Sequence, residues 1–290
     1  MIDHPGLAWL RDVEDGRAWL GRLPGLIDEC REQWALREVG EPFAYALASL
    51  ALPVVCADGS DAVLKVQYPH PEALHEADAL RAWDGAGAVR LLAHDVDRWA
   101  LLLERAMPGS SLAGVPLDKA LDVACDLLPR LWVKPGGQFT PLAQEAAGWV
   151  TEIETGFEAA GRPFDRRLVD AAAAAVAELG PSQPDEVLLH QDLHADNILR
   201  AQREPWLAID PKPLRGERAF GIAPLVRGDE LGGSKADVLR RFDRLTADLG
   251  VDRARARGWT LVQTLAWALD DGEADARMVQ VAEWIAALDA

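Results

Sequence analysis

The sequence predicts an α+β chain of two lobes, a small β-rich one at the front and a larger, mainly helical one behind. Three observations predict it. Short apolar runs divided by turn residues fill the first hundred positions. Apolar residues recurring near every 3.6 positions fill most of the chain beyond Pro108-Gly109-Ser110-Ser111. That helical half is interrupted between 187 and 210 by two apolar runs around a dense polar loop. The expected lobes are 1–106 and 107–290, joined near Glu104–Pro108.

Each element has its own signal. The stretch up to about Gln33 carries an apolar stripe (Leu10, Trp19, Leu20, Leu23, Ile27) and reads as helix, interrupted by Pro24. Ser49–Ala57 and Ala62–Tyr68 are apolar runs around Asp58-Gly59-Ser60-Asp61, a strand–turn–strand pattern with Asp-Gly at the turn. Pro71–Trp83 has Pro in its first turn and acids early, which predicts a helix. Val89–Leu92 and Trp99–Leu103 read as two more strands. Helices are predicted over Ala120–Trp132, Leu142–Ala160, Phe164–Leu179, Ser234–Leu249, Ala254–Leu269 and Glu273–Leu288. In the second of these, Leu142, Ala146, Trp149, Ile153 and Phe157 form one stripe. The alanine run Ala171–Ala175 belongs to a helical pattern. Val187–Gln191 and Asn197–Asp210 read as short strands and tight loops.

Bulk properties narrow the function. The chain has 290 residues, about half of them apolar, enough for one large domain or two lobes with a buried core. No apolar run approaches the roughly 18–20 residues that cross a bilayer. The first residues lack the basic and apolar regions of a secretory signal, so a cytoplasmic location is expected. Cys30, Cys56 and Cys125 form no CxxC pair and are odd in number, which points to reduced thiols. A net charge of -17 disfavours nucleic acid and anionic membrane as partners. It suits either simple solubility or a polycationic small molecule. A monomer and a homodimer both remain open.

The chemistry concentrates in His190-Gln191-Asp192-Leu193-His194-Ala195-Asp196-Asn197, between apolar runs, with Ile209-Asp210-Pro211-Lys212 ending the next run. This spacing, HxDLHxxN and then ID, resembles the catalytic core of aminoglycoside phosphotransferases and of their protein kinase relatives. The resemblance implies a bilobal protein-kinase-like fold and an ATP- and Mg²⁺-dependent kinase. Phosphoryl transfer needs positioning and charge neutralisation more than covalent help. Asp192 then orients a substrate hydroxyl and accepts its proton, while Asn197 and Asp210 offer the hard oxygens that Mg²⁺ takes. His190 is expected to pack under the loop, and His194 and Asp196 to be loop residues without direct chemistry. Two other readings stay open: an ordinary polar loop, or a zinc hydrolase using His190, Asp192 and His194 from one strand face.

The resemblance also asks the front lobe for a phosphate-binding lysine. Lys65 stands alone in the apolar run Ala62-Val63-Leu64-Lys65-Val66, where a buried charge needs a partner. Glu76, eleven residues on, is the expected partner and Glu72 the alternative. The segment Gly40–Ser49 has one glycine and departs from the protein kinase phosphate loop; backbone near Ser49 is its expected phosphate contact. Leu101–Gly109 reads as strand into hinge, with backbone of Glu104 and Ala106 on adenine.

Collinear pieces along nearly the whole chain (GRAWL, GEPF, AVLKV, YPHPEALHEADALRAW, LLLERAMPG, HQDLHADNILR, WLAIDPKPLRGE, RARGWTLVQTLAWAL) resemble the streptomycin 6-kinase and hydroxyurea phosphotransferase branch. That implies a hydroxyl of a cationic antibiotic as acceptor, with resistance as the purpose. The alternatives are a kinase for another small molecule, or a nucleotide-binding module with impaired catalysis. The last arises because Gly221 stands where relatives carry an acid that would cap a helix and brace the loop. Glu152, Glu154, Asp229, Glu230, Asp270 and Asp271 are candidate substrate acids. Trp149, Trp259 and Trp267 are candidate pocket walls, or core.

Overall fold

The computed structural model describes residues 4–44 and 47–288, which form two compact units that meet in sequence at Gly109 and Ser110. The front unit holds helix α1 (Glu14–Gln33), entered from a 3₁₀ stretch at Pro5–Arg11. Pro24 lies inside α1 and does not break it, contrary to the sequence expectation. A proline inside a helix removes one backbone bond. Here the helix runs on because Trp19, Leu20, Leu23, Leu26, Ile27 and Cys30 bury one face in a core shared with the sheet.

That sheet is antiparallel, in the order β1 (Glu38–Val39), β2 (Ser49–Val55), β3 (Asp61–Gln67), β5 (Ala100–Glu104), β4 (Leu91–Asp95). The β2–β3 turn forms as its Asp-Gly sequence predicts. Asp58 Oδ1 accepts from Ser60 N at 2.9 Å and Ser60 Oγ at 2.6 Å, and Gly59 takes φ +88°. The helix expected over Pro71–Trp83 is shorter. Pro71–Ala73 is a separate 3₁₀ turn, and α2 runs Glu76–Trp83. The restart at His75, whose ψ is 15°, places Glu76 at the first position of α2, where it is buried.

The back unit is mainly helical: α3 (Leu117–Leu131), α4 (Leu142–Ala159), α5 (Arg166–Leu179), α6 (Ala223–Arg227), α7 (Lys235–Leu249), α8 (Arg253–Ala268) and α9 (Ala276–Ala286). The last helix starts later than Glu273 because Leu269–Asp270 (β11) and Glu273–Ala274 (β12) pair as a hairpin. Asp275 then caps α9, accepting from Arg277 N and Met278 N. Ser234 and Asp237 make a capping box on α7. A three-stranded sheet, β6 (Thr140–Pro141), β10 (Leu214–Glu217) and β7 (Glu186–Leu189), and a hairpin, β8 (Ile198–Arg200) with β9 (Trp206–Ala208), carry the polar loop. The α4 stripe from Leu142 to Phe157 is buried as its spacing predicts. No described helix is long and apolar enough to cross a membrane. Among the described residues the three cysteines are free.

Candidate active site

Strand β7 ends at Leu189, and the loop after it is laced to the chain entering β10. His190 is 4% exposed, and its Nε2 lies 2.9 Å from Ile209 O. Burial pushes its pKa down to about 4, against the smaller opposing pull of Asp192. The ring is therefore neutral at pH 7 and packs under the loop as expected. Lys212 N donates to His190 O and Ile209 N donates to Asn197 O, each at 3.0 Å. Gln191 and Asp210 adopt φ of +66° and +58°, the left-handed region that costs non-glycine residues energy. Gln263 of α8 holds the first of these turns, its Nε2 donating to Gln191 O at 2.8 Å.

Asp192 is 15% exposed at its side chain. Its Oδ1 accepts from Arg227 Nη2 at 2.8 Å, and Lys212 Nζ stands 3.5 Å from its Oδ2. Burial alone would raise this carboxyl. Lys212, Arg227 and the two loop histidines together outweigh it and hold the pKa below the ordinary value. Asp192 is thus a carboxylate at neutral pH. Asn197 donates its Nδ2 to Asp192 O at 2.8 Å. That bond assigns the amide nitrogen inward, so the amide oxygen is the atom Asn197 has to give a cation. Asp210 is exposed, and the Ile209–Asn197 backbone bond sets it in the chain beside Asn197. An amide oxygen and a carboxylate are donors of the kind Mg²⁺ takes, so the donor set fits that ion.

The loop histidine and acid have structural partners that the sequence did not reveal. His194 Nδ1 lies 2.8 Å from Glu230 Oε1, and Ser111 Oγ donates to Asp196 Oδ1 at 2.5 Å. Burial opposes the His194 charge, but the Glu230 bond and Asp192 raise its pKa above the ordinary value; Glu230 is held low by the same contact. The zinc reading fails on geometry. His190, Asp192 and His194 do not lie on a strand, and they turn to Ile209, Arg227 and Glu230 respectively. The ligand atoms of His194, Asp196 and Glu230 lie within 4.8 Å of one another, but His194 is engaged with Glu230 and Asp196 with Ser111.

In the front unit, Lys65 Nζ donates to both carboxylate oxygens of Glu76, at 2.8 and 2.6 Å. Gln67 Nε2 adds a third bond to Glu76 at 2.6 Å. Lys65 is 6% exposed and Glu76 1%, and Glu76, the expected partner, answers the lysine. Ser49 opens β2, half-buried and opposite Gln67; Tyr45 and Ala46 of the segment before it lie outside the described residues. Glu104 N donates to Arg90 O at 2.9 Å, so that N–H is not available to adenine. This narrows the hinge expectation to the Glu104 carbonyl and to Ala106, which is half-buried.

The candidate substrate acids divide. Glu230 is committed to His194, Glu154 to Arg166 at 2.7 and 2.8 Å, and Asp229 lies 3.4 Å from Arg277. Glu152, Asp270 and Asp271 are exposed. Trp149 and Trp259 are core, the latter donating to the buried Glu217. Trp267 is half-buried, and both Arg227 and Lys212 stand over its ring, at 5.1 and 5.9 Å. At Gly221 a Cβ would meet Trp132 Nε1 at 3.0 Å. The bracing expected from an acid there comes instead from Arg227 and Gln263. Both were missed in the sequence. Arg227 is a lone cation in the apolar run Ala223-Pro224-Leu225-Val226-Arg227, the same signal that singled out Lys65.

A family model described as aminoglycoside/hydroxyurea antibiotic resistance kinase matches residues 33–272. The chain is 43% identical to a streptomycin 6-kinase of Streptomyces glaucescens, over 90% of this chain and 88% of that one. It is 45% identical to a hydroxyurea phosphotransferase of Kitasatospora aureofaciens, over 92% of this chain and 80% of that one. Its fold is similar to the crystal structure of a choline kinase from Streptococcus pneumoniae, with TM-score 0.62 and 13% identity over 92% and 93% of the two chains.

Proposed function

The chain belongs to the aminoglycoside/hydroxyurea antibiotic resistance kinases, and from that premise we propose that it transfers the γ-phosphoryl group of ATP to a hydroxyl of a cationic aminoglycoside of the streptomycin type. The fold is protein-kinase-like and the activity class is kinase. What carries the finer reading is the lacing of Asp192, Asn197 and Asp210 into one loop system, in a chain 43% identical to a streptomycin 6-kinase. The net charge of -17 favours a cationic acceptor.

In this reading Asp192 binds the acceptor hydroxyl, aligns it for in-line attack and takes its proton as the new P–O bond forms and the bond from the γ-phosphorus to the β–γ bridging oxygen breaks, with ADP leaving. A carboxylate held low by Arg227 and Lys212 is a weak base. That suffices, because the loose transition state of phosphoryl transfer asks chiefly for alignment. Asn197 and Asp210 would hold Mg²⁺, which when bound offsets charge on the phosphate oxygens. Lys65, fixed by Glu76, contacts the phosphates; backbone near Ser49 assists, and the Glu104 carbonyl with the Ala106 backbone binds adenine. Lys212 adds positive charge where the transferred group carries negative charge.

The test is incubation of the purified protein with ATP, Mg²⁺ and an aminoglycoside panel, scored by the mass gain of one phosphoryl group on the drug. Modified streptomycin is the expected outcome. Absence of any modified aminoglycoside removes the cationic-drug reading. The 45% identity to a hydroxyurea phosphotransferase supports one second reading, a small hydroxylated acceptor such as hydroxyurea. The same assay with hydroxyurea alone decides it.

A further inference from the structure

Arg227 is the cation that the catalytic loop recruits from farthest along the chain. It ends α6, 35 residues beyond Asp192, and is 5% exposed. An arginine so deep in the protein is costly unless its charge and its donors are matched. Its surroundings answer the charge and two of the donors. Nη2 donates to Asp192 Oδ1 at 2.8 Å, Nε lies 3.4 Å from Gln263 Oε1, and the guanidinium stands over the Trp267 ring.

The backbone that carries Arg227 is fixed as well. Arg277 Nη2 donates to Arg227 O at 2.8 Å. Arg241, fully buried, donates to Val226 O at 3.0 Å, Gly228 O at 2.7 Å, Leu231 O at 3.3 Å and Gly232 O at 2.6 Å. Those four carbonyls bracket Arg227 on both sides. Gln263 closes a ring, since its other end donates to Gln191 O, one residue before Asp192. The loop and the arginine are therefore registered to each other twice, once through the carboxylate and once through Gln263.

We propose that Arg227 is a positioning residue for phosphoryl transfer: it holds one oxygen of Asp192 so that the other, on the Lys212 side, is the oxygen offered to the acceptor hydroxyl. The two cations differ in kind. Arg227 is buried and fixed from behind, while Lys212 is farther from the carboxylate, at 3.5 Å, and 27% exposed at its side chain. An acceptor approaching from solvent meets the Lys212 side. Arg227 stays out of the chemistry and sets the carboxylate's rotation. The proposal rests on the kinase reading and deepens it.

The experiment compares wild type, Arg227→Met, Arg227→Lys, Asp192→Asn and the double variant Asp192→Asn/Arg227→Met. Turnover is followed as transfer to the acceptor found in the drug panel and as slow Mg·ATP hydrolysis, in which water takes the acceptor's place. Loss of alignment predicts a kcat about 10²-fold lower in Arg227→Met, with KM for both substrates nearly unchanged. Arg227→Lys keeps the charge but not the fork, and recovers part of the loss. In the Asp192→Asn background, Arg227→Met has little further effect, because residues acting as a unit are non-additive. A wild-type kcat in folded Arg227→Met, or an equal fold-loss in both backgrounds, overturns the proposal. Should Arg227→Met not fold, Arg227→Lys decides: a lowered kcat at constant KM sustains the proposal, and a wild-type kcat overturns it. Wild-type protein inert in both assays defeats the kinase reading itself, a result distinct from active wild type with an active Arg227→Met.

Discussion

Lys65 and Asp192 are each a charge held inside the protein by an opposite charge, and the two regions hold them differently. Lys65 sits on a strand and Glu76 on the first turn of the next helix, eleven residues away. Regular backbone delivers both, and Gln67, two residues along the same strand, completes the set. Asp192 sits on a loop with a left-handed residue before it, and its partners come from residues 212 and 227. The first arrangement is local and built on elements; the second is assembled from three separate stretches. Burial is deeper in the first and access greater in the second. That suits the roles proposed for them, a lysine on the nucleotide phosphates and a carboxylate on the incoming acceptor.

The largest effect expected on either side of this comparison is on turnover. Asp192→Asn should lower kcat by about 10²–10⁴-fold and also lower the melting temperature, because the amide still accepts from Arg227 but no longer matches its buried charge. A steady-state assay with parallel thermal melts checks it; undiminished turnover would break the contrast at its catalytic end. Next comes the front pair. Glu76→Ala leaves Lys65 buried without its countercharge, which costs about 3–5 kcal/mol when a buried pair is broken. Urea denaturation would read this as a lower midpoint with an unchanged slope. A shift no larger than that of an exposed ion pair contradicts the account of Lys65.

His190 gives a pH signature to the loop region. Its folded pKa, near 4, lies below the unfolded value of 6.5. The unfolded chain therefore takes up the proton first on acidification. The associated stability is present above pH 6.5 and is lost as pH falls from there toward 4, by roughly 3 kcal/mol at most. His190→Gln should flatten that part of the stability-versus-pH curve. An equally steep curve in the variant would show that some other group governs it. The smallest effect is a control at a helix cap, where Ser234 bonds to Asp237. Ser234→Ala removes the α7 cap and should cost about 1 kcal/mol, seen as a lower melting temperature with kcat unchanged.

The same contrast explains what could be read in the sequence. Strand β3, its Asp-Gly turn and the Lys65–Glu76 pair follow from spacing along neighbouring elements, so short-range pattern sufficed. The helical stripe of α4 was legible for the same reason. Asp192, Asn197 and Asp210 were visible as a motif, yet their surroundings were not. Arg227 and Gln263 reach the loop through tertiary packing of α6 and α8, and no local period announces that. Pro24 misled because packing of the α1 face outweighs one missing backbone bond. The late start of α9 comes from a hairpin, Leu269–Ala274, whose two-residue strands are too short to show an alternating pattern.

The proposed activity depends on Asp192, Asn197 and Asp210 acting together on Mg-bound ATP. The most direct measurement traces γ-labelled phosphate from ATP onto streptomycin, in the presence of Mg²⁺, with wild type and with an equally folded Asp210→Asn. The account predicts label on a drug hydroxyl with wild type and none above background with the variant. Label transferred by Asp210→Asn at the wild-type rate would contradict it.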